Sequence, residues 1–243
     1  MQLPRHLAII MDGNGRWAEQ HGKSRSHGHI KGTRVAKKII QKCARLGLQN
    51  LTLYAFSTEN WLRPKSEVTI LMKLLKKYLK KETANLIKEN IRFETIGDRS
   101  QLPSDILETL EASQKATASC TGMRLVFALS YGSRQEITSA VRHIAQLIEN
   151  RELKSSDISA EVFSSFLQTR TMPDPDLILR TSGEKRLSNF LLWQAAYSEF
   201  YFSNKLWPEF SEEDLLAVLQ DFNLRERRFG QVRPVETHEQ LNH

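Results

Sequence analysis

Cysteine is scarce in this sequence, and its scarcity removes two ways of stapling a protein together. Cys43 and Cys120 are the only thiols in 243 residues. They form neither a CxxC pair nor a Cys/His spacing, which argues against a zinc site, and two isolated thiols fit a reducing compartment. Long apolar runs are missing as well. Nothing approaches the roughly 18–20 residues of a membrane span, and the N-terminus has no signal-peptide core. A cytoplasmic protein is expected, with at most peripheral membrane contact. Internal repeats and low-complexity blocks are also absent. What is present is a chain with 40% apolar residues, enough for a full-sized core in one domain without disulfides.

Acidic residues are scarce at one end only. The net charge is +7, and residues 1–50 hold ten Lys or Arg against Asp12 and Glu19, a balance of +8. The remainder holds 25 bases and 26 acids, a balance of −1. For Lys37, Lys38, Lys42 and Arg45 a solvated helix face is the default meaning. No helix-turn-helix, RNP-like or zinc-finger pattern supports nucleic acid, so no nucleic-acid partner is expected. A phosphate-bearing ligand near the first strand is the remaining explanation for the motifs to test.

Period and punctuation give alternating elements. Strand patterns occupy His6–Met11, Asn50–Phe56, Ile91–Ile96, Met123–Leu129, Leu177–Arg180 and Glu199–Phe202. Helical patterns occupy Lys31–Leu46, Ser66–Glu89, Ser104–Ser119, Ser133–Asn150, Ala160–Gln168 and Ser211–Leu224. Such alternation predicts a single-domain α/β fold, a mainly parallel sheet covered by helices on both faces. Right-handed crossovers then put the loops after the strands on one rim. Residues 1–230 are expected to form the domain, and 231–243 a polar tail. The second long helical pattern carries Leu71, Leu74, Leu75, Tyr78 and Leu79 on one face and Lys73, Lys76, Lys77, Lys80 and Lys81 on the other. Core packing is its default meaning.

Four stretches on that rim are unusual. "MDGNGRW" follows the first strand, and "GKSRSHGHIKG" follows it in turn. Its glycines let a ligand approach the backbone, Asp12 could hold Mg²⁺, and Arg16, Arg25 and His29 could carry phosphate charge. Taken alone it reads equally well as an ordinary glycine turn with an Asp cap. "FSTENWLRP" follows the second strand, "RTSGEKRLSNF" the fifth, and "SEFYFSNKLWPEF" lies at the sixth. Arg180, Arg186 and Ser188 around Gly183 could form an anion cradle; a surface turn with snorkelling arginines is the plainer meaning. Two rival motifs lose ground. Gly13-x-Gly15-x-x-Ala18 mimics a dinucleotide fingerprint, but Thr33 and Arg34 stand where its ribose-binding acid belongs. An aspartyl phosphotransferase would carry a second carboxylate at position 14, which is Asn.

The segments "MDGNGRWA", "GHIKG", "LTLYAFSTENW", "IGD", "YGSRQEI", "LILRTSGEKRLSNFLLWQAAYSEFYF" and "LWPEF…RERRFG" closely resemble the cis-prenyltransferases, of the bacterial undecaprenyl diphosphate synthase type. The likeness is collinear from about His6 to Gly230. It implies Mg²⁺ dependence, a homodimer, a six-stranded sheet wrapped by helices, and an apolar tunnel walled partly by the helix after the second strand. It also implies extension of an allylic diphosphate, commonly farnesyl diphosphate, by isopentenyl diphosphate units to give a polyprenyl diphosphate. The trans-type synthases use DDxxD clusters, and this chain has none; "PDPDL" is broken by proline and reads as the approach to a strand.

By the same resemblance, Asp12 is the Mg²⁺-linked aspartate, and Gly13, Asn14, Gly15, Arg16 and Trp17 hold the allylic diphosphate with Arg25 and His29. Ser57, Thr58, Glu59, Trp61 and Arg63 are further substrate contacts, and Asn60 is the residue assigned to accept a proton. Arg180, Arg186, Leu187 and Ser188 match the isopentenyl diphosphate site, Glu199 a second metal carboxylate, and Arg228 and Gly230 an RxG signature that reaches the partner's site. The chain departs from the family pattern at Ser130, Ser133 and Lys185.

Overall fold

The computed structural model describes residues 2–225. Arg228, Gly230 and the tail 231–243 lie outside them. Six strands, β1 (His6–Ile10), β2 (Asn50–Ser57), β3 (Arg92–Ile96), β4 (Arg124–Tyr131), β5 (Leu177–Arg180) and β6 (Glu199–Phe202), form one sheet in the order β3-β4-β2-β1-β5-β6. Every pairing is parallel. The six strands stand where the alternation of apolar runs puts them, within two residues at each end. The central strands bury both faces, which is why they read as continuous apolar runs rather than alternating ones.

Those faces pack two separate cores. Leu7 and Ile9 of β1 point into the larger, with Ile39 and Ile40, Leu79 and Leu86, Leu110 and Leu215. These come from α2 (Arg25–Leu46), α3 (Lys65–Lys88), α4 (Ser104–Ala116) and α7 (Glu212–Leu224). Ala8 and Ile10 point the other way, toward Tyr131, Phe190, Leu191 and Ala195. α5 (Ser133–Glu149) and α6 (Ala160–Ser165) follow β4. At the start of β1, His6 is buried between the Pro173 carbonyl and the Thr52 hydroxyl, each 2.7 Å away.

One helix was not anticipated. The segment expected to be loop contains α1 (Asn14–Gln20), and the next helix begins at Arg25 rather than Lys31. Gly28 and Gly32 lower helix propensity there, but packing overrides it. A Cβ on Gly28 would lie 1.9 Å from the Asn14 carbonyl oxygen. The glycines exist to let α1 cross α2 at backbone distance, and this crossing carries the loop after β1.

Candidate active site

The register aligns the C-terminal ends of β1 and β5, and β2 runs three residues further. Ile10 of β1 lies opposite Tyr54 of β2 on one side and Arg180 of β5 on the other. Asp12, two residues past that line, therefore meets Arg180 across the rim. Its Oδ2 accepts a hydrogen bond from Arg180 Nη2 at 2.8 Å, and its Oδ1 accepts one from the Gly13 N–H at 2.7 Å. Thr181 fixes the backbone of the same residue by donating to its carbonyl and accepting its N–H. Burial pushes the Asp12 carboxyl up, but the Arg180 guanidinium and the Gly13 N–H outweigh it and hold the group below the usual carboxylate range. Asp12 is thus an ionised carboxylate whose side chain is 31% exposed to the rim.

Arg180 is 3% exposed. Beyond Asp12 it donates to Ser188 Oγ at 2.7 Å and to the Arg186 carbonyl, so it shapes the loop 181–189 around itself. Its Nε is buried without a partner. Arg16 reaches the same loop, donating to the Ser182 carbonyl at 3.1 Å and pairing with Glu184 at 3.3 Å. Gly15 makes room for a neighbouring cation: a Cβ there would sit 2.7 Å from the Arg25 guanidinium.

A second cationic group gathers on one acid. Glu67, in the first turn of α3, lies 3.2 Å from Arg25, 3.4 Å from His29 and 2.8 Å from Arg63. Burial raises the Glu67 carboxyl, but Arg63, Arg25 and His29 together hold it low. Burial holds His29 below the usual imidazole value against the pull of Glu67. In the loop after β2, the Asn60 amide oxygen accepts the Ser57 N–H at 3.1 Å in a reciprocal cap. Glu59 accepts from Asn189 at 2.9 Å, and Asn189 also accepts the Arg134 N–H, tying this loop to the start of α5.

These groups line one end of a cavity of about 700 Å³, and apolar side chains line the other. The apolar end is built from Leu71, Leu74, Leu75 and Tyr78 of α3 with Phe127 and Leu129 of β4. The lysine-opposed face of α3 is therefore a cavity wall as well as core.

Fourteen of the anticipated site residues reach this cavity: Asp12, Gly13, Asn14, Gly15 and Arg16; Arg25 and His29; Ser57, Glu59, Asn60 and Arg63; Arg180, Arg186 and Ser188. Five do not line it. Trp17 is buried under Lys31, whose ammonium lies 4.3 Å from the ring centroid. Trp61 donates to Ser130 Oγ at 2.9 Å and stands edge-on to Phe56. Thr58 turns its hydroxyl into the protein, and Leu187 packs on the smaller core. Glu199 is off the rim. It starts β6 opposite Leu177, three residues before the rim end of the strand, or roughly 10 Å along it. There it pairs with Arg225 at 3.0 Å. Among the described residues no three His, Cys, Asp or Glu side chains cluster as a ready-made metal site.

Asn189 lines the cavity, and Glu67, Thr181 and Ser182 hold residues that line it, although the motifs did not single them out. Glu67 was visible as the acid four residues after Arg63, but it reads there as an ordinary helix start. Thr181, Ser182 and Asn189 had no local signal, because each acts on a residue more than a hundred positions away.

Residues 10–230 match the prenyltransferase family model described as "Putative undecaprenyl diphosphate synthase". The isoprenyl transferase of Geobacter sulfurreducens is 54% identical over 231 residues, 95% of this chain and 94% of its own. That of Bacillus cereus is 50% identical over 230 residues, covering 95% and 89%. Lavandulyl diphosphate synthase from Lavandula x intermedia, solved in complex with dimethylallyl diphosphate, superposes with a TM-score of 0.92 at 38% identity, covering 94% of this chain and 99% of its own. A probable undecaprenyl diphosphate synthase from Campylobacter jejuni superposes with a TM-score of 0.78 at 35% identity, covering 95% and 100%.

Proposed function

The chain belongs to the undecaprenyl diphosphate synthase family of prenyltransferases, and from that premise we propose that it condenses isopentenyl diphosphate with an allylic diphosphate, farnesyl diphosphate by preference. The product is a long cis-polyprenyl diphosphate, the undecaprenyl carrier of cell-wall assembly. One observation carries this reading. A single cavity joins a cationic, rim-exposed end to an apolar end, as a molecule with a diphosphate head and an isoprenoid tail requires. The bound dimethylallyl diphosphate of the Lavandula enzyme is such a molecule.

Asp12 is the residue to hold Mg²⁺. An ionised carboxylate open to the rim, beside cations suited to phosphate oxygens, is the donor set this ion takes when it arrives with a diphosphate. When bound, Mg²⁺ supplies Lewis-acid stabilisation of the departing diphosphate. Arg16, Arg25 and His29, with Gly13, Asn14 and Gly15 and with Trp17 packed behind them, grip the allylic diphosphate. As its C–O bond breaks, the electron pair leaves on oxygen, where these groups stabilise it. Arg180, Arg186 and Ser188, shaped by Leu187, hold isopentenyl diphosphate so that its double bond faces the allylic carbon. The π pair forms the new C–C bond, and a proton is lost to restore an alkene. The Asn60 oxygen already accepts the Ser57 N–H, and an amide is a weak base. The proton therefore passes to a diphosphate oxygen while Asn60, with Ser57, Thr58, Glu59, Trp61 and Arg63, keeps the loop over the reacting carbons.

The protein works as a homodimer in the cytoplasm. β6 is a sheet edge with half-buried Phe200, Tyr201 and Phe202, and Leu192 and Trp193, a few residues earlier in the chain, are partly exposed; a second copy would cover that edge. A metal role for Glu199 requires that second copy, since within one chain it lies too far from Asp12.

Incubation with Mg²⁺, farnesyl diphosphate and labelled isopentenyl diphosphate tests the reading. Extended polyprenyl products, sized by mass spectrometry and lost on chelation by EDTA, are expected. No extended lipid under these conditions would reject it.

A further inference from the structure

Charge is divided unevenly over the molecule. α2 and α3 together carry fourteen Lys and Arg against Glu67 and Glu82, a balance of +12. The rest of the chain then holds 21 bases and 26 acids, a balance of −5. The two helices lie side by side, bridged by Lys37 to Glu82 at 2.8 Å and Arg25 to Glu67 at 3.2 Å. Both acids are therefore turned inward and paired. Outward, α2 exposes Arg34 and Lys38, and α3 exposes Lys73, Lys77 and Lys80. None of these five makes an ion pair among the described residues, whereas Lys76, on the α4 side, is taken by Asp105.

Apolar side chains stand among the cations. Ile30 is 37% exposed on α2, Ile87 is 46% exposed near the end of α3, and Leu62, just before α3, is 88% exposed. Beneath α3 lies the apolar end of the cavity. We propose that the α2–α3 face docks on a bilayer surface rich in anionic phospholipid. Basic residues near such a surface contribute attraction additively, and interspersed aliphatic side chains enter the headgroup layer. The same aliphatic groups would gain nothing against a duplex backbone, and α2 and α3 expose no aromatic ring on which bases could stack. No helix of the described residues is long and apolar enough to cross a membrane, so this contact is peripheral. It rests on the proposed reaction only for its purpose, which is to bring the cavity that holds an isoprenoid tail against the lipid.

Vesicle flotation of the full chain tests the docking without turnover. Wild type is expected to float with vesicles of equal parts phosphatidylglycerol and phosphatidylcholine, to stay behind with phosphatidylcholine alone, and to be released as salt rises. Lys73→Gln/Lys77→Gln/Lys80→Gln is expected to weaken flotation by on the order of a hundredfold, at about fivefold per lysine. Its circular dichroism melt and its vesicle-free turnover of soluble diphosphates should match wild type. Equal flotation of wild type and variant, or no flotation of wild type, overturns the proposal. So does lysine-dependent retention of duplex DNA by a protein that ignores the vesicles. Loss of turnover in both proteins with flotation intact would instead count against the prenyl-transfer reading and leave the docking surface standing.

Discussion

Asp12 stands between two demands. It must stay charged at the edge of a core, and Arg180 and the Gly13 N–H keep it so. Asp12→Ala is expected to lower kcat by on the order of 10³, the scale of a lost electrostatic contact to a developing charge. Lys77→Ala, on the far face of α3, should leave kcat unchanged without vesicles. Equal rates for the two variants in the labelled isopentenyl diphosphate assay would contradict the site. His6 makes the opposite bargain. Burial, only partly offset by the Pro173 carbonyl, takes its pKa from 6.5 to about 4. Because that carbonyl can only accept, Nδ1 carries the proton and the folded imidazole is neutral. Between pH 4 and 6.5 the unfolded chain binds the extra proton, so stability is full above about 6.5 and falls as the pH drops through this window. The whole shift is worth about 3 kcal/mol. Urea unfolding of wild type and His6→Asn at pH 7 and 4.5 checks this; the variant should lose less stability on acidification.

At the level of elements, the crossing of α1 and α2 decides whether the first loop exists. The Gly28 position faces the Asn14 carbonyl at a distance no Cβ can occupy. Gly28→Ala should therefore push α1 outward, cost about 3 kcal/mol, and raise KM for the allylic substrate more than for isopentenyl diphosphate. Thermal melts and separate KM measurements read the two effects. α3 works on both its sides at once: its leucines wall the cavity, its lysines face out, and Glu67 in its first turn pairs with the cations expected to hold an anion.

For the molecule as a whole, two solved relatives share this fold although one is a lavandulyl and the other a probable undecaprenyl diphosphate synthase. The fold is therefore shared by relatives of different names. A homodimer across β6 is expected in analytical ultracentrifugation, and Tyr201→Glu, which puts a charge on that edge strand, should shift it toward monomer. A wild type that sediments as a monomer at micromolar concentration would remove the proposed route by which Glu199 could serve a metal.

Much of this is legible in the amino-acid sequence. Buried parallel strands are short apolar runs with punctuation at both ends, so all six were readable from local pattern, and the parallel order of the sheet followed from the helices between them. Of the fourteen anticipated residues that line the cavity, most were readable because their motifs sit directly after strands, whereas Arg25 and His29 lie further on, in α2. Local pattern was silent, or misled, wherever a residue's meaning lies in a distant neighbour. Gly28 lay in a stretch that reads as loop until the Asn14 carbonyl stood against it. Glu67 looked like a helix start until Arg25 and His29 closed on it, and Glu199 looked like a rim residue until register set it three positions short. Periodicity records which side of an element faces the core; it holds no record of which two elements meet, and those meetings are what build the cavity.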